Sequence, residues 1–399
     1  MPYLSGRALR GLRNYRYKSA GTTWMDELHN PLWNGAVEML PRWMAPNLIT
    51  LLGLFSLMIA YSVSSWYLPE MQGVAPTWVY WLSAGCAFFY LHMDCLDGKQ
   101  ARRTGTSSPL GQLFDHGCDA LAVYFSLSMA ACSISSGHTW VSVGATLGVM
   151  VPWVLAHWGE YHTGLMVYGN YLFGITEANY ALVAVHTVSA TLGPQVWRIE
   201  MKDRLGLVRL AQLLGVTPPE SADLKTCFLS FAFAICCVII VAQMANIVLR
   251  DDPAAEIPEH ERGDKRLGAR AAALHLAPLA LMFVLGWLYQ TAPMDVPGMA
   301  RTVEATFGVL YALQATRMIM AHMTKQNYAP DWPSLALLGV GVANRYASFM
   351  DPMLLAVCLN TLVIGVYLHY VLNVVGEICG ELGIQALRIP SEAPKPKPE

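Results

Sequence analysis

The amino-acid sequence predicts an all-α polytopic integral membrane protein with about ten transmembrane helices. Hydrophobic residues make up 54% of the 399 residues and charged residues only 14%, whereas a soluble domain carries about a quarter charged residues. Apolar runs of about 20 residues, the length that crosses a bilayer, recur along the chain. This composition excludes a soluble globular domain. The formal net charge of −2 gives no indication of a nucleic-acid partner.

Ten segments are apolar and long enough to be predicted membrane spans. They are 46–66, 76–95, 112–134, 138–157, 178–197, 226–249, 271–291, 302–322, 334–350 and 352–376. The spans divide the chain into five regions. We expect a cytoplasmic or interfacial arm at 1–45, catalytic helices at 46–200, an interfacial connection at 201–225, further transmembrane helices at 226–380 and a disordered cytoplasmic tail at 381–399.

Lysine and arginine residues predict the orientation of these spans. With ten spans, the basic N-terminal arm, the connection between the second and third spans and the loop 250–270 all fall on one side of the membrane. Because positive charge is retained in the cytoplasm, this side is expected to be cytoplasmic. The basic segment 198–224 falls on the opposite side, and its leucines predict an amphipathic helix that lies in the interface.

Four aspartates mark the most informative stretch of the chain. Asp94 and Asp97 are three residues apart, and Asp115 and Asp119 are four residues apart. On helices, each pair therefore lies on one face. Two such faces packed together would bring four carboxylates around one small volume. Carboxylates at the edge of a membrane are costly and indicate a functional site.

A cluster of four like charges requires cations. Hard divalent ions such as Mg²⁺ or Mn²⁺ bind carboxylate oxygens and leave room for phosphate oxygens. We expect two ions. Asp94, Asp97 and Asp115 are the predicted ligands of one ion, and Asp94, Asp115 and Asp119 can hold the second.

The residues around the aspartates form a pattern that is similar to a known signature. The pattern D-x2-D-G-x2-A-R-x8-G-x3-D-x3-D is matched at every fixed position, and it resembles the signature of the CDP-alcohol phosphotransferases. The matching residues are Asp94, Asp97, Gly98, Ala101, Arg102, Gly111, Asp115 and Asp119. Residues 45–53, which include Asn47, resemble the family's A-P-N-x-I-T segment. The length and the ten spans favour the eukaryotic choline and ethanolamine branch.

Several of these residues are candidates for contact with the nucleotide. Gly98, Ala101 and Gly111 have little or no side chain and permit close approach of a ligand or helix. Arg102 can bind phosphate oxygens through its planar fork. Gln112, which stands where the family usually has an acid, is expected to face the nucleotide.

Asn47, in the segment 45–53, is a further candidate, because its side chain can hydrogen-bond the CDP group. A helix N-cap is an equally good interpretation of that residue.

The acceptor hydroxyl needs a base. His116 titrates near neutral pH, whereas a carboxylate that holds a metal ion is a weak base, so we favour His116 over Asp119. The resemblance implies that a downstream glutamate orients the histidine, and Glu177 matches it. Glu177 can alternatively be an acidic residue of a helix N-terminus.

An aromatic stretch suggests a head-group site. Residues 157–164 are similar to the H-W-x-x-Y-x-T-G stretch of the choline and ethanolamine phosphotransferases. Trp158 and Tyr161 are therefore candidates for cation–π contact with choline or ethanolamine. An aromatic belt at the membrane interface explains the same residues.

The resemblance implies a transferase with CDP-choline or CDP-ethanolamine as donor and diacylglycerol, or an alkyl-acylglycerol, as acceptor. The products would be phosphatidylcholine or phosphatidylethanolamine and CMP, as in the last step of the Kennedy pathway. Other expected partners are membrane lipids, with a homodimer left open. The family implies the endoplasmic reticulum, with the Golgi as an alternative, and an active site that faces the cytoplasm. The alternatives are a CDP-diacylglycerol-dependent phosphatidyltransferase, a membrane prenyltransferase and an ion-coupled transporter.

Overall fold

A computed structural model describes residues 2–202, 222–249, 267–292 and 296–389, together with residues 204, 206, 213, 257, 262, 263 and 265. This part of the chain contains twelve α-helices. They are α1 (Gly6–Arg13), α2 (Trp24–Met39), α3 (Pro46–Tyr67), α4 (Thr77–Thr104), α5 (Pro109–Ser133), α6 (Trp140–Thr163), α7 (Ile175–Leu192), α8 (Leu224–Val248), α9 (Ala269–Thr291), α10 (Met299–Met323), α11 (Trp332–Ala347) and α12 (Pro352–Leu382). The predicted all-α architecture is confirmed.

Each of the ten predicted spans coincides with one of the helices α3 to α12. Five of these helices are long and apolar enough to cross a membrane. They are Pro46–Tyr67, Trp140–Thr163, Leu224–Val248, Arg270–Thr291 and Pro352–Leu382. The chain is therefore an integral membrane protein. Most of segment 198–224 and of the tail 381–399 lies outside the described residues. This includes four apolar residues of the expected interfacial helix, Leu205, Val208, Leu210 and Leu214.

Helices α3, α4 and α5 form the unit that carries the aspartates. Helix α3 packs against both α4 and α5, and α7 also packs against α4. Helix α4 ends at Gly105, whose left-handed conformation (φ 68°) a side chain would disfavour. Helix α5 begins after Ser108, which accepts a hydrogen bond from the Gly111 amide, and Pro109 occupies its first turn. These caps place the end of α4 beside the start of α5.

Helix α10 lies at the centre of the molecule and packs against α5, α6 and α12. Almost all of its side chains are buried, including the charged pair Arg301 and Glu304. Because α10 is buried on all sides, its apolar residues are not confined to one face of the helix. At Gly308 the helix lies so close to α5 that a β-carbon would be 2.4 Å from the Tyr124 ring.

The N-terminal arm returns to the end of the last helix. The amides of Tyr3 and Leu4 donate to the two oxygens of Glu377 in α12, at 2.7 and 2.8 Å. Arg13 forms an ion pair with Glu381 at 2.7 Å. A short parallel pair of strands, β1 (Ser19–Ala20) and β2 (Met166–Val167), ties the arm to the loop after α6. The start of the chain and the end of α12 therefore lie at the same end of the helix bundle.

Candidate active site

The structure brings the four aspartates together where α4 ends and α5 begins. Single carboxylate oxygens of Asp94, Asp97 and Asp115 lie within 4.8 Å of one another. Asp119 follows Asp115 by one helical turn, and Asp94 is within hydrogen-bonding reach of both Asp115 and Asp119. The two faces that the residue spacing predicts are thus packed against each other.

Two hydroxyl groups hold the carboxylates in place. The Thr50 hydroxyl of α3 donates to Asp97 Oδ2, and the Tyr90 hydroxyl of α4 donates to Asp119 Oδ1. Each hydrogen bond uses one lone pair of the carboxylate and leaves others for a ligand. Sequence reasoning missed both donors. Tyr90 precedes Asp94 by one helical turn, so the helical period places it on the same face of α4 and could have indicated its proximity to the aspartates.

The donor set fits a hard divalent cation. Asp94 Oδ1 is buried and has no hydrogen-bond partner among the described residues, and a buried polar atom without a partner normally requires a ligand, an ion or water. Carboxylate oxygens are the donors that Mg²⁺ and Mn²⁺ prefer. Asp94, Asp97, Asp115 and Asp119 are therefore the residues that can hold such ions.

An open surface with an exposed guanidinium group, that of Arg102, adjoins the aspartates. A β-carbon at Gly98 would meet only Arg102 Nη1, at 3.5 Å. Arg102 is exposed, and Ala101 beside it is half-buried. Arg103 instead donates to Glu38 Oε2 and to the Leu40 carbonyl, at 3.2 and 2.8 Å. Arg102 is thus the guanidinium group available to a phosphate, whereas Arg103 fastens α4 to α2.

Two of the other residues expected at the nucleotide, Asn47 and Gly111, lie at the start of α3 and α5. Asn47 is buried, and its Nδ2 donates to the Ala386 carbonyl at 2.9 Å. A β-carbon at Gly111 would lie 3.7 Å from Asn47 Oδ1. Asn47 Oδ1 and Gly111 are therefore neighbours. The Asn47 side chain makes no N-cap hydrogen bond, because Ala45 holds the N-cap position of α3.

His116 is buried in α5 between two polar side chains. Its Nδ1 lies 2.9 Å from His157 Nε2, and its Nε2 lies 2.7 Å from Gln112 Nε2. Gln112 therefore faces the histidine, one helical turn away. His157 was singled out only as part of the aromatic stretch, and its contact with His116 depends on how α6 packs on α5.

Glu177 does not reach His116 in the hydrogen bonds of the described residues. Its Oε2 accepts from the Gly174 amide at 2.9 Å and so closes the first turn of α7. This is the role of an acidic helix N-terminal residue. Its Oε1 is buried and has no hydrogen-bond partner among the described residues. The side chain in contact with His116 Nδ1 is His157.

The two aromatic candidates for head-group contact are fully buried in helix packing. Trp158 Nε1 donates to the Ala272 carbonyl at 3.1 Å, and the Tyr161 hydroxyl donates to the Gln326 carbonyl at 3.1 Å. Both have 0% exposure. Their polar tips join α6 to α9 and to the loop after α10.

A second polar cluster, which sequence reasoning missed, lies beside His157. Glu160 groups with His116 and His157, with one donor atom of each within 4.8 Å of the others. The Tyr15 hydroxyl is 3.4 Å from Glu160 Oε1. Burial, and then the neighbouring Glu160, raise the pKa of Tyr15 above its ordinary value, so this phenol stays protonated and donates to the carboxylate.

Comparison with known proteins finds a family that is similar to this part of the chain. Residues 43–192 match the family described as CDP-alcohol phosphatidyltransferase. This stretch contains the four aspartates and the helices α3, α4 and α5. Over residues 43–192 the chain is similar to this family.

Two relatives match almost the whole length of the chain, and a third matches about half of it. The "uncharacterized CDP-alcohol phosphatidyltransferase class-I family protein 1" of Dictyostelium discoideum is 29% identical over 96% of this chain and 94% of its own length. Choline/ethanolaminephosphotransferase 1 of Arabidopsis thaliana is 28% identical over 98% of this chain and 99% of its own length. Cholinephosphotransferase 1 of Bos taurus is 38% identical over about half of each chain, 53% and 52%.

Proposed function

We propose that this CDP-alcohol phosphotransferase moves phosphoethanolamine or phosphocholine from its CDP derivative to diacylglycerol or an alkyl-acylglycerol. The observation that carries the proposal is the four-aspartate cluster beside the exposed Arg102. It combines an unpartnered buried oxygen, on Asp94, with a guanidinium group that is available to a phosphate. The names of the Arabidopsis and bovine relatives support the choice of head group.

The aspartates would hold two Mg²⁺ or Mn²⁺ ions. Asp94, Asp97 and Asp115 surround the first position, and Asp94, Asp115 and Asp119 surround the second. Bound there, the ions would neutralise charge on the pyrophosphate. Thr50 and Tyr90 fix the outer oxygens of Asp97 and Asp119, and such supporting hydrogen bonds orient metal ligands.

The remaining residues would bind and orient the donor. Arg102 donates to phosphate oxygens through two parallel N–H groups. Gly98, Ala101 and Gly111 leave space for the nucleotide at the surface between α4 and α5. Asn47 Oδ1, next to Gly111, would accept from the cytosine amino group.

The transfer itself is a displacement at phosphorus. The acceptor hydroxyl oxygen forms a new bond to the phosphorus atom, and the bond from phosphorus to the CMP oxygen breaks, with its electron pair leaving on CMP. His116 Nε2 accepts the hydroxyl proton. Asp119 is the rival base, but a carboxylate that holds a metal ion is a weak base.

The membrane would separate the two substrates. We propose ten crossings by α3 to α12, with the aspartates at the cytoplasmic boundary and the protein in the endoplasmic reticulum or the Golgi. The soluble CDP-alcohol then approaches from the cytoplasm and the lipid from the bilayer. The contact between the N-terminal arm and the end of α12 supports an even number of crossings.

The test is CMP release by purified protein in detergent with Mn²⁺ and diacylglycerol, with CDP-choline and CDP-ethanolamine assayed separately. The proposal expects CMP and an equal amount of phospholipid from at least one donor, and the ratio of the two rates identifies the head group. CMP release with CDP-diacylglycerol and a soluble alcohol, but with neither CDP-choline nor CDP-ethanolamine, would contradict it.

A further inference from the structure

Four polar groups form a continuous hydrogen-bonded chain across α5 and α6. The Trp153 carbonyl lies 3.1 Å from His157 Nδ1, and His157 Nε2 lies 2.9 Å from His116 Nδ1. His116 Nε2 then lies 2.7 Å from the Gln112 side-chain nitrogen. Both histidines are buried, at 1% and 3% exposure, so protein groups rather than water determine where their protons lie.

The carbonyl at one end determines the tautomers of both histidines. A carbonyl oxygen can only accept, so His157 Nδ1 carries a proton and donates to Trp153. A neutral His157 then has a lone pair on Nε2, and this nitrogen must accept from His116 Nδ1–H. His116 is thereby left with its lone pair on Nε2. The Gln112 side-chain nitrogen, which is a donor, faces that lone pair, as this assignment requires.

The arrangement is also held rigidly. The Trp153 ring lies against the His157 ring with centroids 4.2 Å apart, and the Tyr17 ring meets His116 edge to face at 5.7 Å. Both imidazoles therefore have fixed planes, and each belongs to a helix rather than to a loop. Rigid helices position reacting groups more accurately than loops do.

We propose that His157 is a positioning residue for the reaction, because it fixes His116 in the tautomer whose Nε2 can accept the proton of the acceptor hydroxyl, which replaces Gln112 as the donor to that nitrogen. The inference rests on the proposed function of His116 as base. It gives His157 the role that the family resemblance had implied for Glu177, which instead caps α7. A third group that orients the base is a general feature of activated nucleophiles.

The test compares two substitutions at one position. In His157→Gln the side-chain oxygen can take the place of Nε2 and accept from His116 Nδ1–H, whereas His157→Leu removes the acceptor. We expect His157→Leu to lower kcat for CMP release about 10- to 100-fold with little change in KM for the CDP-alcohol. His157→Gln should retain most of the wild-type kcat. His186 of α7, which is fully buried and bonded to Ser133 at 2.8 Å, provides the matched control pair His186→Leu and His186→Gln.

Histidine ¹⁵N NMR of the purified protein reports the tautomer directly. The His116 signals are assigned by their loss in His116→Gln, and we expect a protonated Nδ1 and a bare Nε2 in the wild type. A protonated Nε2, or an equal kcat in the wild type and His157→Leu, would overturn the inference while leaving the transferase intact. A wild-type protein that releases no CMP from any CDP-alcohol would contradict the proposed function itself, and the positioning role of His157 with it.

Discussion

At the scale of single residues, the site depends on which side chain takes the hydroxyl proton. The His116 Nε2 lone pair faces Gln112, whereas Asp119 is a proposed metal ligand, and a carboxylate that holds a metal ion is a weak base. We expect His116→Gln to lower kcat by about 10²- to 10⁴-fold, the usual contribution of a general base, and to leave the Mn²⁺ requirement unchanged. Steady-state CMP release at saturating lipid measures this. Near-normal turnover in His116→Gln, with complete loss in Asp119→Asn, would assign the base to Asp119.

Neighbouring arginines at the end of α4 provide a second residue-scale prediction. Arg102 is exposed beside Gly98, whereas Arg103 is bonded to Glu38 and Leu40. Because lysine cannot make the bidentate contact, Arg102→Lys should raise KM for the CDP-alcohol about tenfold without loss of thermal stability. Arg103→Lys is the matched control and should leave KM unchanged. The prediction is wrong if both variants change KM equally.

Much of the candidate site could be predicted from the sequence, because its key residues lie on two neighbouring helices. The spacing of the four aspartates specifies two helical faces, and the structure packs those faces together. The supporting contacts could not be predicted. Thr50 on Asp97, and His157 on His116, join different helices, so they depend on interhelical packing that a hydropathy pattern does not encode.

At the scale of helices, the apolar runs predicted where helices form better than where they end. The second predicted span ends at residue 95, whereas α4 continues to Thr104. Hydropathy marks the part of a helix that is compatible with the membrane, but the end of α4 is set by the left-handed Gly105. The polar turn that carries Asp97, Gly98 and Arg102 therefore lies on the same helix as Asp94.

Close packing of α10 on α5 leads to an element-scale prediction. A β-carbon at Gly308 would lie 2.4 Å from Tyr124 Cγ, whereas one at Gly339 in α11 would have no atom within 4 Å. Gly308→Ala should therefore destabilise the protein by about 1–3 kcal/mol, because the two helices must separate. Gly339→Ala is the control and should be neutral or slightly stabilising, since alanine favours helix. Thermal unfolding in detergent, followed by tryptophan fluorescence, compares them. Equal melting temperatures would contradict the close packing.

At the scale of the whole molecule, the arm that reaches from the N-terminus to α12 constrains the topology. Tyr3 and Leu4 bind Glu377, and Arg13 binds Glu381. The N-terminal arm and the end of α12 are therefore adjacent. With ten crossings, protease-cleavable tags at the N- and C-termini should be accessible from the same, cytoplasmic side of sealed vesicles. Tags cleaved from opposite sides would contradict an even number of crossings.

The central claim is that the four aspartates form the metal-dependent centre of a CDP-alcohol phosphotransferase. The measurement that tests it most directly is CMP release as a function of Mn²⁺ concentration, with diacylglycerol and the better CDP-alcohol, in the wild type and in Asp115→Asn. We expect no release without the metal, saturation with Mn²⁺ in the wild type, and a loss of more than about 100-fold in the folded Asp115→Asn variant. CMP release that persists in a chelator, or that is unchanged in Asp115→Asn, would contradict the account.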